Sequence, residues 1–155
     1  MQYRLEVVVV PVADVDRAKH FYADLLGFHV DVDHQVSDDI RIVQLTPEGS
    51  GCSVTIGMGL ADMAPGSLKG LQLCVSDIVA AHAELTVRGV AVGPIQHHDG
   101  KAFVDGKGDR WNAFVFFQDP DGNGWAIQES PTMRAAEADR GAAGDSGIDA
   151  GGATA

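Results

Sequence analysis

The chain carries 155 residues, 45% of them hydrophobic and 21% charged, enough for one domain with a real core and too few for two independent ones. A net charge of −11 argues against nucleic acid and anionic membranes as partners, because phosphate recognition needs a basic footprint; a small organic ligand stays open. No stretch approaches membrane-spanning length, and the start lacks a signal peptide's basic region and cleavage site. The two cysteines, Cys52 and Cys74, make no disulfide framework, so a cytoplasmic protein is expected.

The first element in chain order is an apolar strand, "LEVVVVPV". Asp14 follows at an N-cap position, ahead of an amphipathic helix with Ala18, Tyr22 and Leu25 at helical spacing and Gly27 at its end. Three strands come next: "FHVDVDH", "IRIVQL" and "CSVTIG". Beyond a linker at 58–69 the pattern restarts with the strand "GLQLCV" and the cap Asp77. A helix with Ala81 and Leu85 runs to Gly89, and the strands "VAVGPIQH", "NAFVFFQ" and "GWAIQE" complete the unit. The segments "VADVDRAKHFYADLLG" and "VSDIVAAHAELTVRG" match, as do "TPEGSGCSVTIG" and "DPDGNGWAIQES", in the same order. One unit is therefore written twice. This predicts an α+β fold of two βαβββ modules, 1–57 and 70–131, whose eight strands form paired curved sheets around a cleft. The tail 132–155 is rich in Ala, Gly and Asp and is expected to be disordered, with helical docking of "MRAAEAD" as the alternative.

The turn "DPDGNG" at 119–124 invites two readings. Pro and Gly at its second and fourth positions suit a type I turn, which explains every residue without a ligand. An EF-hand loop also fits Asp119, Asp121, Asn123 and Gly124, but its twelfth position is Ser130 where a bidentate glutamate is needed, and the flanks read as strands.

With the repeat, the opening "PVADVDRAKHFYADLLGF" and the close "FFQDPDGNGWAIQE" resemble the vicinal oxygen chelate superfamily, which includes glyoxalase I, bleomycin-resistance proteins and extradiol dioxygenases; the resemblance covers roughly residues 3–131. It implies a homodimer with two equivalent clefts. In metal-dependent members each module supplies two ligands, and those positions carry over to Val7, Thr55 (or Ser53), Gly70 and Ala126. Val, Gly and Ala have no donor atom and a lone hydroxyl is a poor ligand, so no metal and no cofactor are expected.

Strand alternation then selects the pocket lining. Ala126 shares a face with Gln128, Thr55 with Ser53, and Gln72 with Cys74, while Val7 and Val9 form the floor. Apolar walls around two amides and two hydroxyls suit a small-molecule pocket; alternatively these polar groups satisfy one another at a sheet seam. His20 and His82 read as solvated helix residues. His29, Asp31 and Asp33 alternate on one strand face and are expected outside, opposite core-facing Val30 and Val32, with His34 on the surface. His97 and His98 open the long loop "HHDGKAFVDGKGDRWN" and are candidate acid–base catalysts, as equally they are surface residues. Sharing its phase with Ile95 points His97 inward, although Pro94 can reset that phase. Trp111, near the loop's end, is either core or a stacking surface at the pocket mouth.

Three functions compete. The first is a metal-independent protein that binds a small organic molecule, sequestering an antibiotic or metabolite. The second is a metal-independent isomerase, epimerase or cyclase using His97 or His98, with Gln72, Gln128 and Thr55 orienting substrate. The third is a metal-dependent lyase or dioxygenase recruiting His98 and Glu129, although Glu129 sits on the opposite strand phase from Ala126.

Overall fold

The computed structural model describes residues 1–60 and 62–145. In its first half the strands β1 (Val7–Val9), β2 (His29–Ser37), β3 (Ile40–Thr46) and β4 (Ser53–Met58) form one sheet in the order β1-β4-β3-β2, with β1 parallel to β4. Helix α1 (Val15–His20) runs on as a π-helical turn, Phe21–Leu25. The second half repeats the plan with β5 (Leu71–Val75), α2 (Ile78–Val87), β6 (Gln96–His98), β7 (Phe103–Asp105), β8 (Phe114–Gln118) and β9 (Gly124–Glu129). Its sheet order is β5-β9-β8-β6-β7, with β5 parallel to β9. The architecture is the expected pair of open sheets with helices, carrying nine strands rather than eight among the described residues. The extra strand, β7, pairs with β6 as a hairpin inside the segment read from sequence as a loop.

Both predicted caps form. The Asp14 side chain accepts from Arg17 N, and Asp77 Oδ1 accepts from Val79 N at 2.9 Å and Ala80 N at 3.1 Å. The Ala80 and Val79 amides hold the Asp77 carboxyl below its usual range. One face of each sheet packs under the helices. Val43, Leu45, Val54 and Ile56 of the first sheet and Val115, Phe117, Trp125 and Ile127 of the second join Ala18, Phe21, Tyr22, Ile78 and Leu85 in one continuous core.

The turn 119–124 fastens the halves together. Tyr22 Oη donates to Asp119 Oδ2 at 2.7 Å, Trp125 Nε1 donates to Tyr22 Oη at 3.1 Å, and Asn123 Nδ2 donates to Asp119 Oδ2 at 2.7 Å and Pro11 O at 2.9 Å. Asn123 Oδ1 accepts from Leu68 N at 3.1 Å. Burial, and next the Asp119 carboxylate, push the Tyr22 phenol's pKa up. The segment before β5 is tied on both sides: Gly66 N donates to Pro11 O at 3.3 Å, and Gly124 N to Leu68 O at 2.9 Å. Gly66 sits so close to this turn that a Cβ would lie 2.0 Å from Asp121 O, so only glycine fits there. The structural reading of "DPDGNG" thus accounts for its residues.

Two expectations need correction. A β-bulge between Val30 and Val32 resets the phase of β2: Val30 pairs with Leu45 on the helix side, whereas Val32 pairs with Gln44 and Asp33 with Val43. Asp33 therefore turns under α1, where Lys19 and Arg41 bind it, and Val32 is 42% exposed on the other face. The tail is helical as far as it is described: α3 spans Pro131–Asp145, and residues 146–155 lie outside the described residues. Alanine-rich sequence favours helix, and the Arg134 guanidinium anchors the first turns on Ser76 O and on Glu129 Oε1 at 3.0 Å. Among the described residues no helix is long and apolar enough to cross a membrane.

Candidate functional site

Each sheet keeps one face clear of the helices. On the first sheet, β1 lies beside β4 with Val7 opposite Ser53 and Val9 opposite Thr55, all four on this open face. On the second, Gln72 lies opposite Ala126 and Cys74 opposite Gln128, again on the open face. The cross-strand pairs on the two open faces are Val7/Ser53 and Val9/Thr55 in the first sheet and Gln72/Ala126 and Cys74/Gln128 in the second. Gly70 precedes β5 and lies outside the strand. No donor set for a divalent ion exists at these positions: valine and alanine offer nothing, and a hydroxyl and a neutral amide are weak ligands. Among the described residues no three His, Cys, Asp or Glu side chains converge as a metal would require. Glu129 does not rescue the site. It lies opposite Val75 on the core side, bound by Lys107 Nζ at 2.7 Å, Arg134 Nη2 at 3.0 Å and Ile78 N at 3.1 Å. Burial works against its ionisation, but the bonds from Lys107 and Ile78 outweigh it and hold the carboxyl below its usual range.

The polar groups on the open faces are largely paired among themselves. Ser53 Oγ lies 2.6 Å from Thr46 Oγ1 and accepts from Gln44 Nε2 at 3.3 Å, while Thr46 Oγ1 donates to Asp31 Oδ2. Gln72 Nε2 donates to Gln128 Oε1 at 2.7 Å, and Gln128 Nε2 donates to the Trp111 carbonyl at 2.6 Å. Trp111 holds a positive φ of 64°, a strained conformation for a bulky residue, which turns its carbonyl towards Gln128 and leaves the residue 43% exposed. The next residue clasps β6: Asn112 Oδ1 accepts from His98 N at 2.9 Å and Asn112 Nδ2 donates to His98 O at 3.0 Å.

The histidines separate by face. Gln96 lies opposite Phe114, which itself lies opposite Gln128, so His98, two residues from Gln96, shares the open face with Gln128. His97 points to the other side, with Nδ1 3.0 Å from Gly106 O. The phase argument from Ile95 misled because Ile95 packs against the core, so a side chain in its phase turns away from the open face.

Sequence reasoning missed the aromatic side chains. Phe103, Phe114 and Phe116 share this face, with ring centroids 4.9 Å apart for Phe103–Phe116, 5.6 Å for Phe103–Phe114 and 6.1 Å for the stacked pair Phe114–Phe116. His98 meets the edge of this cluster, 5.2 Å from Phe103. The alternation of Phe114 and Phe116 in "NAFVFFQ" carried the signal for two of the three; Phe103 was hidden in the apparent loop. A cavity of about 370 Å³ opens here, lined by Gly70, Phe116, Phe117, Gln118, Gly124, Trp125 and Ala126. A groove of about 270 Å³ continues to the first sheet past Gly70, Gln72, Cys52 and Ser53. A wider cleft of about 550 Å³ between Lys107 and Arg134 has the ion-paired Glu129 in its wall and holds none of the expected pocket residues.

The sequence profile of the Glyoxalase/Bleomycin resistance protein/Dioxygenase superfamily matches residues 4–127. TnmS3, an antibiotic binding protein from Streptomyces sp. CB03234, is 34% identical, with a TM-score of 0.67 over 83% of this chain and 97% of its own. A glyoxalase/bleomycin resistance protein from the same strain is 35% identical, with a TM-score of 0.64 over 81% and 99%. A superfamily member from Sphaerobacter thermophilus DSM 20745 is 28% identical, with a TM-score of 0.68 over 83% and 98%. No curated protein matches the chain. Two open sheets built from one repeated unit, the Asp119 turn that joins them and a match across most of the chain agree: the protein belongs to the Glyoxalase/Bleomycin resistance protein/Dioxygenase superfamily.

Proposed function

We propose that the protein binds, without metal, a small uncharged and largely aromatic organic molecule, an antibiotic or a metabolite, on the open face of its second sheet. The observation that carries this reading is the uncovered platform of Phe103, 44% exposed, and Phe116, 36% exposed, beside the Gln72–Gln128 amide pair. Aromatic rings offer a ligand a large apolar contact with defined stacking geometry, and a cavity of about 370 Å³ suits a small ligand. The 34% identity to an antibiotic binding protein supports the same ligand class. The homodimer belongs to this reading: Val7 and Val32 leave the first sheet's open face equally bare at 38% and 42% exposure, and a second chain laid across both faces would turn two shallow surfaces into enclosed clefts. The free thiols Cys52 and Cys74 suit a reducing, cytoplasmic setting.

The test is a melting-temperature screen of antibiotics and aromatic metabolites, paired with elemental analysis of protein purified without chelator. A binder present at 100 times its Kd stabilises the fold by about 2.7 kcal/mol. A stoichiometric transition metal lost on mutating Thr55 or Gln72 overturns the metal-free reading, and a library without a single shift overturns the binding reading.

A further inference from the structure

The two adjacent histidines are locked in opposite tautomers. A backbone N–H can only donate, and Gly100 N donates to His98 Nδ1 at 3.1 Å, so that nitrogen keeps its lone pair and the neutral ring carries its proton on Nε2. A backbone carbonyl can only accept, and Gly106 O lies 3.0 Å from His97 Nδ1, so His97 carries its proton on Nδ1 and leaves Nε2 as the acceptor. The ring whose Nε2 keeps its lone pair therefore points away from the open face. The ring on the open face presents an N–H, and no protein group among the described residues bonds its Nε2. Phe103 touches both His98 and Phe116, which places this donor at the margin of the aromatic platform whose other end walls the cavity.

We propose that His98 is a specificity-determining hydrogen-bond donor, selecting aromatic ligands that carry a neutral oxygen acceptor such as a ring carbonyl. This rests on the open face of the second sheet being the binding face. Gln72 and Gln128 each spend one N–H inside the Gln72–Gln128–Trp111 chain, and the His98 Nε2–H is a further donor that reads the ligand without breaking an internal bond. Such a site recognises an acceptor and gives no general base to that face.

Two measurements test it. The first is the two-bond proton–nitrogen correlation spectrum of the ¹⁵N-labelled full chain at mildly alkaline pH, with His98 assigned by its loss in His98→Gln. An Nε2–H pattern for His98 and an Nδ1–H pattern for His97 are expected; an Nδ1–H pattern for His98 overturns the proposal. The second compares binding of 9-fluorenone with fluorene, a planar pair differing in one carbonyl. Wild type should prefer fluorenone roughly five-fold, the ratio one ordinary hydrogen bond gives. His98→Phe should erase the preference, and His98→Gln, which keeps a donor, should retain part of it. Equal binding of both compounds to wild type and His98→Phe removes the role of His98 and leaves the aromatic binding face standing. Failure of both compounds to bind at all removes the binding face and this proposal with it.

Discussion

The two modules share one plan and spend it differently. In the first, the open face carries valines and hydroxyls, Val7, Val9, Ser53 and Thr55, and the matching turn "TPEGSG" lies at the surface with side-chain bonds that stay within its own module, Thr46 Oγ1 to Asp31 Oδ2, Ser50 Oγ to Cys52 O and Cys52 N to Ser50 Oγ. In the second, the open face carries phenylalanines and amides, and the turn "DPDGNG" is buried against α1, with Asn123 fully enclosed. Their ionic clamps differ too. Asp33 binds Lys19 and Arg41 under α1, whereas Glu129 gathers Lys107 and Arg134 where α2 and α3 begin. A duplicated scaffold holds its pattern of strands while one copy's turn becomes the fastening and one copy's face becomes the recognition surface.

The contrast between the turns is the easiest to break. Asn123→Ala strands Leu68 N and removes the bonds to Pro11 O and Asp119 Oδ2, and should cost about 3 kcal/mol in urea unfolding, because a buried unpaired donor costs about 1–3 kcal/mol and each lost hydrogen bond about 1 kcal/mol. Ser50→Ala, at the matching position, should stay within about 0.5 kcal/mol, as exposed changes usually do. Equal costs would erase the asymmetry.

The contrast between the faces comes next. Phe116→Ala should weaken binding of an aromatic ligand by about 1–3 kcal/mol, since deep aromatic anchors dominate such surfaces, while Val7→Ala should lose less than 1 kcal/mol by titration calorimetry. A larger loss at Val7 would shift the recognition surface to the first sheet.

The clamps give a smaller, pH-dependent effect. Hydrogen bonds from Arg41 and then Lys19 lower the Asp33 carboxyl from 3.8 to about 2. A depressed folded-state pKa stabilises above the unfolded value and loses that contribution as pH falls through the folded one. Solvent reaches this pair, so the gap between wild type and Asp33→Asn should be about 1 kcal/mol or less above pH 3.8 and should close towards pH 2, as followed by denaturation across that range. The smallest effect belongs to Trp111: Asn tolerates its positive φ better, so Trp111→Asn should leave stability unchanged or raise it by less than about 1 kcal/mol while weakening ligand binding.

The repeat was legible because strand alternation and the Asp caps are local signals, and both modules carry them. What escaped is non-local or irregular. The bulge at Asp31 flips Val32 and Asp33 with no mark in composition. The strand read at 90–97 shrinks to Gln96–His98 because residues 90–95 hold no regular strand around Pro94, and the phase shared by Ile95 and His97 leads to the core side, so the open face falls to His98. Asp119 and Asn123 look like turn residues and nothing more until Tyr22 and Pro11, about a hundred positions away, are seen to meet them. The Gln72–Gln128 contact had been anticipated only as the bland alternative to a ligand; with Trp111 attached it frames the site.

The connector between the modules has one more consequence. Gly66 is held by Pro11 of the first half, and Leu68 by Asn123 and Gly124 of the second, so the segment that would have to swing open for two chains to exchange halves is stitched to both of them. Domain swapping needs a hinge that lets go cheaply. Here the hinge is a clasp, and an exchange of halves would first have to break its bonds to both modules.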